Sequence, residues 1–242
     1  MWFDWDIFIS QLFSLAYVQG AALALGVGTL AMALGVLVGF GVALMRLGKR
    51  RLVRDIAAGY VWFFRAMPPL LVLLIVWNAG PQLLPVLRDD WFSPFVAAVI
   101  GLGIVESAYL AEIFRSALIG VDPGQSLAGR ALGMTPWQVL RKIMIPQAVR
   151  IAIPPSGNEF IGLVKSTSLA TVISLQELMT IAQKGVQMTY RYAEYYAAAI
   201  VYYLVIVSLL MLVQGYVERR LSWSSKVKGR PGVRTQLKEL VP

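Results

Sequence analysis

Residues 19–44 read QGAALALGVGTLAMALGVLVGFGVAL, 26 positions without one charge. At a rise of about 1.5 Å per residue, a helix of this length crosses a hydrocarbon core of about 30 Å. The rest of the chain agrees with a lipid setting. Of 242 residues, 58% are hydrophobic and 14% charged, against roughly 25% charged in an average soluble domain. Mean hydropathy is +0.67. That balance argues against a soluble enzyme, a disordered tail or a fibrous protein. The chain has no Cys and no His, which excludes a disulfide scaffold, thiolate metal sites, most zinc chemistry and His-based acid–base catalysis. The opening MWFDWDIF carries Asp4 and Asp6 and no basic run, so a cleaved signal peptide is not expected. The fold class is an all-α integral membrane protein.

Four further apolar stretches follow, roughly residues 56–77, 94–119, 147–165 and 194–217. Each reaches the length of a span, which gives five transmembrane helices. The stretch 56–77 holds Pro68-Pro69, able to split it into an interfacial piece and a shorter membrane piece. Sixteen Lys and Arg fall in the 46–54 and 120–150 connections and after residue 217, while four fall in the 78–93 and 165–193 connections and none in the N-terminal segment. By the positive-inside rule the segment 1–18 lies outside and the basic tail 219–242 in the cytoplasm, with residues 19–218 as the membrane domain. The net charge of +9 is then an orientation signal and not a nucleic-acid surface, and the polar, Gly- and Pro-containing tail sits near anionic headgroups. Ala24, Gly28, Ala31, Gly35, Gly39 and Ala43 form one stripe of small residues in the first span, suited to close approach by another helix. No internal repeat is visible, unlike many secondary transporters.

The connection after the third span reads DPGQSLAGRALGMTPWQVLRKIMIPQA, residues 122–148. Asp122 is placed to cap a helix that has Pro123 at its first position, with Gln125 reaching back in a capping box. Gly133 can take the left-handed conformation that closes that helix. Thr135-Pro136-Trp137-Gln138 repeats the capping pattern, and Pro146 is expected to limit the second helix. Two short helices about a glycine turn make this a structured element and not a linker. No phosphate-binding loop is present: Gly48-Lys49 lacks the earlier glycine and is followed by Arg50. The chain has no nucleotide site of its own.

Gly124-Gln125, Ala128, Arg130-Ala131-Leu132-Gly133-Met134 and Ile143-Met144-Ile145-Pro146-Gln147-Ala148 resemble the EAA loop of ABC-importer permeases. More narrowly, they resemble the polar amino acid family of histidine, arginine, glutamine, glutamate and opine permeases. Phe64-Arg65-Ala66-Met67-Pro68 is similar to that family's F-R-G-T-P entry to the second span. Tyr109-Leu110-Ala111-Glu112-Ile113-Phe114-Arg115 is similar to its third-span signature, and residues 154–161 with 165–169 to its fourth. Leu127 stands where the family usually has Glu, Gly129 replaces Ala, and Ala66-Met67 replaces Gly-Thr. The resemblance implies a type I (MetI-like) permease of five helices in a bacterial inner membrane, paired with a second copy of itself or a sister permease. It implies two cytoplasmic ATPase subunits that hold ATP and Mg, with no cofactor in this chain. It further implies a periplasmic solute-binding protein that delivers an amino acid. The residues implied to meet the ATPase are Gln125, Leu127, Ala128, Arg130, Ala131, Leu132 and Gly133, within a coupling loop of about 122–146.

Charges inside spans are the candidate pathway. A charge at membrane depth costs at least ~2.5 kcal/mol. Glu112 and Arg115 are spaced i, i+3 and form either a structural ion pair or a clamp in which Arg115 meets the substrate carboxylate. Glu159 follows the Pro154-Pro155…Gly157 run, read as a helix break lining a cavity, and is the candidate anion for an ammonium group. Asn158 is either its polar neighbour or a cap on the broken helix. Lys165 is expected to snorkel to the interface, and Trp62, Trp77 and Trp91 to form interfacial belts. The competing reading is an ion-coupled secondary carrier with Glu106, Glu112 and Glu159 as its relay.

Overall fold

In the computed structural model residues 3–221 are described, and they are helical with no strand. The helices are α1 (Trp5–Leu12), α2 (Leu15–Leu47), α3 (Arg51–Ala66), α4 (Pro69–Leu83), α5 (Pro94–Ile119), α6 (Pro123–Ala131), α7 (Pro136–Val139), α8 (Ile145–Ser166), α9 (Leu178–Thr189) and α10 (Tyr192–Leu221). Among the described residues α2, α5 and α10 are each long and apolar enough to span a membrane, and the bent pair α3–α4 makes a fourth candidate. The expected fourth stretch is α8, 22 residues or about 33 Å long. It carries Arg150, Glu159 and Lys165, so length supports a span there and composition does not. Of the expected tail, residues 222–242 lie outside the described residues.

The fold is organised on α2. Its stripe of small residues is buried, with Ala24, Ala31 and Ala43 fully so, and α5 packs along most of its length. Gly39 shows how close the approach is: a Cβ there would stand 2.7 Å from the Ser107 carbonyl oxygen and 3.1 Å from the Ala111 nitrogen. Backbone meets backbone, which only the smallest residue permits. α2 also contacts α8, α9 and α10, with Gly28 of the same stripe lying against Val164 of α8.

Pro68-Pro69 bends α3 from α4 by 101°. Neither proline can donate an N–H, and each drives its predecessor out of the helical region. Met67 and Pro68 are accordingly extended, with ψ of 131° and 128°. The other two proline expectations need correction. Pro154 and Pro155 lie inside α8 without breaking it. Gly157 is not a break residue either, since a Cβ on it would stand 2.9 Å from Gln214 Cδ of α10; its role is helix contact. Pro146 does not end the second short helix, because α7 continues through a π turn (Leu140–Met144) straight into α8. The wider turn relieves the clash between the proline ring and the carbonyl four residues back.

The N-terminal segment is tied to α10. Asp4 caps α1, and its own N–H donates to Glu194 Oε1 at 2.9 Å. The Tyr202 hydroxyl donates to the Leu12 carbonyl at 2.9 Å, fastening α1 to α10. The 165–193 connection is likewise helical. Glu177, fully buried, caps α9 by accepting the Thr180 N–H at 2.9 Å and also accepts the Tyr203 hydroxyl at 2.9 Å. Burial pushes its carboxyl above the usual range, and these hydrogen bonds pull the other way. Trp62 and Trp91 are exposed as belt residues would be, whereas Trp77 stacks on Phe92 at 5.6 Å and belongs to the core.

Because Gly39 faces backbone, Gly39→Val should overpack the α2–α5 seam by about 1–3 kcal/mol. A lower thermal midpoint of the purified protein checks this. Gly41→Ala, where nothing lies within 4 Å of the added atom, should leave it unchanged.

Candidate translocation site and coupling loop

The α3–α4 bend leaves Arg65 at the end of α3, where its guanidinium lies 5.3 Å from the centre of the Tyr109 ring on α5. Arg65, Tyr109, Glu112, Ser116, Pro155 and Glu159 line a cavity of about 290 Å³ between α3, α5 and α8. A second cavity of about 260 Å³ is lined by Pro69, Leu102, Glu106, Tyr109, Glu159 and Ser166. Tyr109 and Glu159 border both. Glu159 thus stands at the junction of the two cavities. It makes no hydrogen bond or ion pair among the described residues.

The candidates divide. Glu112 lines the first cavity, but its oxygens are held by arginines from two helices: Arg115 Nε donates at 3.1 Å, and Arg115 Nη2 and Arg46 Nη1 donate as well. The structural ion pair is therefore present. Arg115 is committed to it and borders neither cavity, which corrects the clamp reading. Asn158 neither caps a broken helix nor faces the cavities; its Oδ1 accepts a hydrogen bond of 3.1 Å from Gln214 Nε2 on α10. Arg65 and Tyr109 were not among the candidates. The signal was there, because Arg65 is the lone charge of its stretch and stands directly before the Pro68-Pro69 bend. Glu106 entered only as part of the carrier relay.

At the other end of α5, Asp122 Oδ1 caps α6 by accepting the Gly124 N–H at 2.7 Å. The return bond expected from the Gln125 side chain is not formed among the described residues, so this cap is single. Thr135 and Gln138 do form the reciprocal box, at 3.3 and 2.9 Å. Gly133 has φ +76°, with nothing within 4 Å of the position a Cβ would take. Gln125, Leu127, Ala128, Arg130, Ala131, Leu132 and Gly133 are all exposed, Leu132 by 83%. Gly129 is buried, and a Cβ on it would stand 2.7 Å from Ile143 Cδ1, which explains glycine where an alanine was expected. Leu127 and Arg130 border a groove of about 660 Å³ between α6 and the ends of α2 and α5.

An all-helical membrane chain with this exposed α6–α7 element matches the family model described as "Binding-protein-dependent transport system inner membrane component" over residues 13–223. The chain belongs to that family. This permease is 36% identical over 219 residues to the "Probable amino-acid permease protein YxeN" of Bacillus subtilis, covering 90% of this chain and 96% of that protein. It is similar to a crystal structure of an amino acid ABC transporter with histidines, at TM-score 0.81 and 33% identity, covering 91% of this chain and all of that one. It shares its fold with the inward-facing MetNI methionine ABC transporter, at TM-score 0.71 and 20% identity over 85% of this chain and 94% of that one. The fold is thus the MetI-like permease fold. The family is a multi-pass inner-membrane transport component and not the catalytic subunit of such systems, and it replaces the ion-coupled carrier weighed above.

The Glu112 carboxylate answers two arginines, so Glu112→Ala should lower the thermal midpoint of the purified permease by roughly 5 °C or more, by stranding both cations. Glu159→Gln breaks no such bond and should shift it by less than about 2 °C.

Proposed function

We propose that this permease carries an amino acid inward, delivered by a periplasmic solute-binding protein and driven by a cytoplasmic ATPase dimer. The observation that supports this most directly is Arg65 and Glu159 on one cavity wall at membrane depth. An amino acid zwitterion needs a cation for its carboxylate and an anion for its ammonium, and those two groups offer both. The names of the similar proteins point the same way. The ATP and Mg belong to the ATPase subunits, and the membrane domain is completed by a second copy of this chain or a sister permease. The basic asymmetry of the connections supports a periplasmic N-terminus and a cytoplasmic C-terminus.

In this reading the α6–α7 element sits in a groove on the ATPase, with Leu127, Ala128, Ala131 and Leu132 making an apolar contact and Gly133 turning the chain. The continuous run from Pro136 through Glu159 is about 35 Å of helix. Movement of the ATPase against α6 and α7 is then carried as displacement of α8, and Glu159 moves relative to Arg65. Opening and closing of the cavity follow from that displacement.

Two outcomes test the reading. In proteoliposomes containing the whole transporter, uptake of a labelled amino-acid mixture should require ATP and the binding protein. Glu159→Gln should reduce the rate about tenfold or more at unchanged abundance. Unchanged uptake would place the pocket elsewhere.

Gly133→Asp adds a side chain at a left-handed position, costing roughly 1 kcal/mol or more, on the surface assigned to the ATPase. It should leave the chain inserted, weaken co-purification of the ATPase and abolish uptake. Normal transport by this variant would reduce the element to a linker.

A further inference from the structure

The second cavity holds a carboxylate for which the reading above has no use. Glu106 is 5% exposed, lines the cavity with Glu159, and has Oε1 sealed from solvent without a hydrogen-bond partner among the described residues. Charges at this depth that serve only the fold are answered, as Glu112 is by Arg46 and Arg115. An unanswered one is a functional group by default, because an apolar residue would fill the place at lower cost. The packing keeps room for it. A Cβ at Gly35 of α2 would stand 3.1 Å from Glu106 Cγ and 3.3 Å from its Cβ, so the small-residue stripe is what lets a glutamate lie against α2.

The charges lining the second cavity are of one sign: Glu106 and Glu159 border it, and no Lys or Arg does. Glu112 is held by two arginines and is not free to meet a ligand. Arg65 borders the first cavity, Glu159 borders both and Glu106 borders the second, so the three run from one cavity into the next. A neutral amino acid brings one carboxylate for Arg65 and one ammonium for Glu159, and leaves Glu106 beside a like charge in a medium of low dielectric. An amino acid with a cationic side chain brings a second cation. With its carboxylate at Arg65 and its ammonium at Glu159, that cation extends into the second cavity toward Glu106.

We infer that Glu106 is a specificity residue that receives the side-chain cation of a basic amino acid, a guanidinium or a second ammonium. This rests on the amino-acid importer reading above and adds the class of side chain. Of the group's neighbours, Leu102, Val105 and Gly162 are apolar and Pro69 lacks a donor, which leaves Tyr109 and Ser166 as the polar groups beside the two carboxylates. A cation so placed meets two anions and no competing cation on the cavity wall.

The test uses the whole transporter in proteoliposomes with ATP enclosed and the binding protein outside, and labelled arginine and labelled glutamine as probes. The wild type should accumulate arginine at least tenfold faster than glutamine. Glu106→Gln, which keeps shape and removes charge, should lower arginine uptake at least tenfold with the protein present at wild-type level. Glu106→Asp, which keeps the charge, should retain at least a third of the rate. Arginine uptake by Glu106→Gln at the wild-type rate overturns the inference. So does a wild type that imports glutamine but not arginine, and so does equal inactivity of the Gln and Asp variants, the mark of a structural role. A labelled mixture of all amino acids separates the two levels: if it is imported while arginine is not, only this inference falls. If nothing in the mixture is imported, the importer reading falls and takes this inference with it.

Discussion

A charge taken out of water must be paired, hydrogen-bonded or used, and this constraint sorts the buried carboxylates of the structure. Glu112 is paired twice, by an arginine one turn along α5 and by another from the end of α2. Glu194, nearly buried at the start of α10, accepts the Asp4 N–H and faces Arg191 at 3.5 Å. Glu177 sits at a helix N-terminus and takes a backbone N–H and a tyrosine hydroxyl. Each of these carboxylates ties together segments distant in sequence, which is a structural use. Arg65, Glu159 and Glu106 serve no such tie: Arg65 borders the first cavity, Glu106 the second and Glu159 both.

Those cavities depend in turn on how tightly the rest is packed. Lipid supplies no hydrophobic drive between helices, so association rests on close contact. The α2 stripe provides that contact along α5, and the same stripe keeps α5 near enough to α3 and α8 for Tyr109 to share space with Arg65 and Glu159. Tyr60 of α3 reaches Ser107 of α5 with a hydrogen bond of 2.6 Å, securing the helix that ends in Arg65. The polar space is therefore a gap left in a close-packed bundle, bounded by a proline bend on one side and a proline-bearing helix on the other.

Features that depend on local chemistry were legible in the sequence. The third stretch coincides with α5, Gly133 is left-handed, Thr135 and Gln138 form their box, and Pro68-Pro69 is a bend. Features decided by a neighbouring helix were not. Proline signals a break in isolation, yet Pro154-Pro155 lies in an unbroken helix, with the Pro154 carbonyl taken by Gln214 from α10 at 3.2 Å. Asn158 looked like a partner for Glu159 because it is adjacent in sequence, but consecutive residues on a helix face different ways, and this one faces α10. Arg115 was the visible cation of the third stretch, while the cation that reaches the cavity comes from another helix. Spacing along one helix finds pairs such as Glu112 and Arg115; a site assembled from α3, α5 and α8 has no spacing to find.

The uninterrupted α7–α8 run changes what the proline pattern means for mechanism. A helix broken at Pro146 and again at Pro154-Pro155 would absorb a push on α7 at its hinges, and little would arrive at Glu159. The structure has a π turn at one place and an uninterrupted helix at the other. In the proposed mechanism a displacement applied at Thr135 reaches Glu159 along one continuous helical run, while Arg65 stands on α3, set off from α4 by a bend of 101°. The anion and the cation that border the cavity are thus on different helices, α8 and α3. Two opposite charges on one rigid body would hold a zwitterion equally well at both ends of a transport cycle, and would never release it. Placing them on separate helices lets the proposed grip depend on the state of the coupling loop, which is what a transport cycle requires of its site.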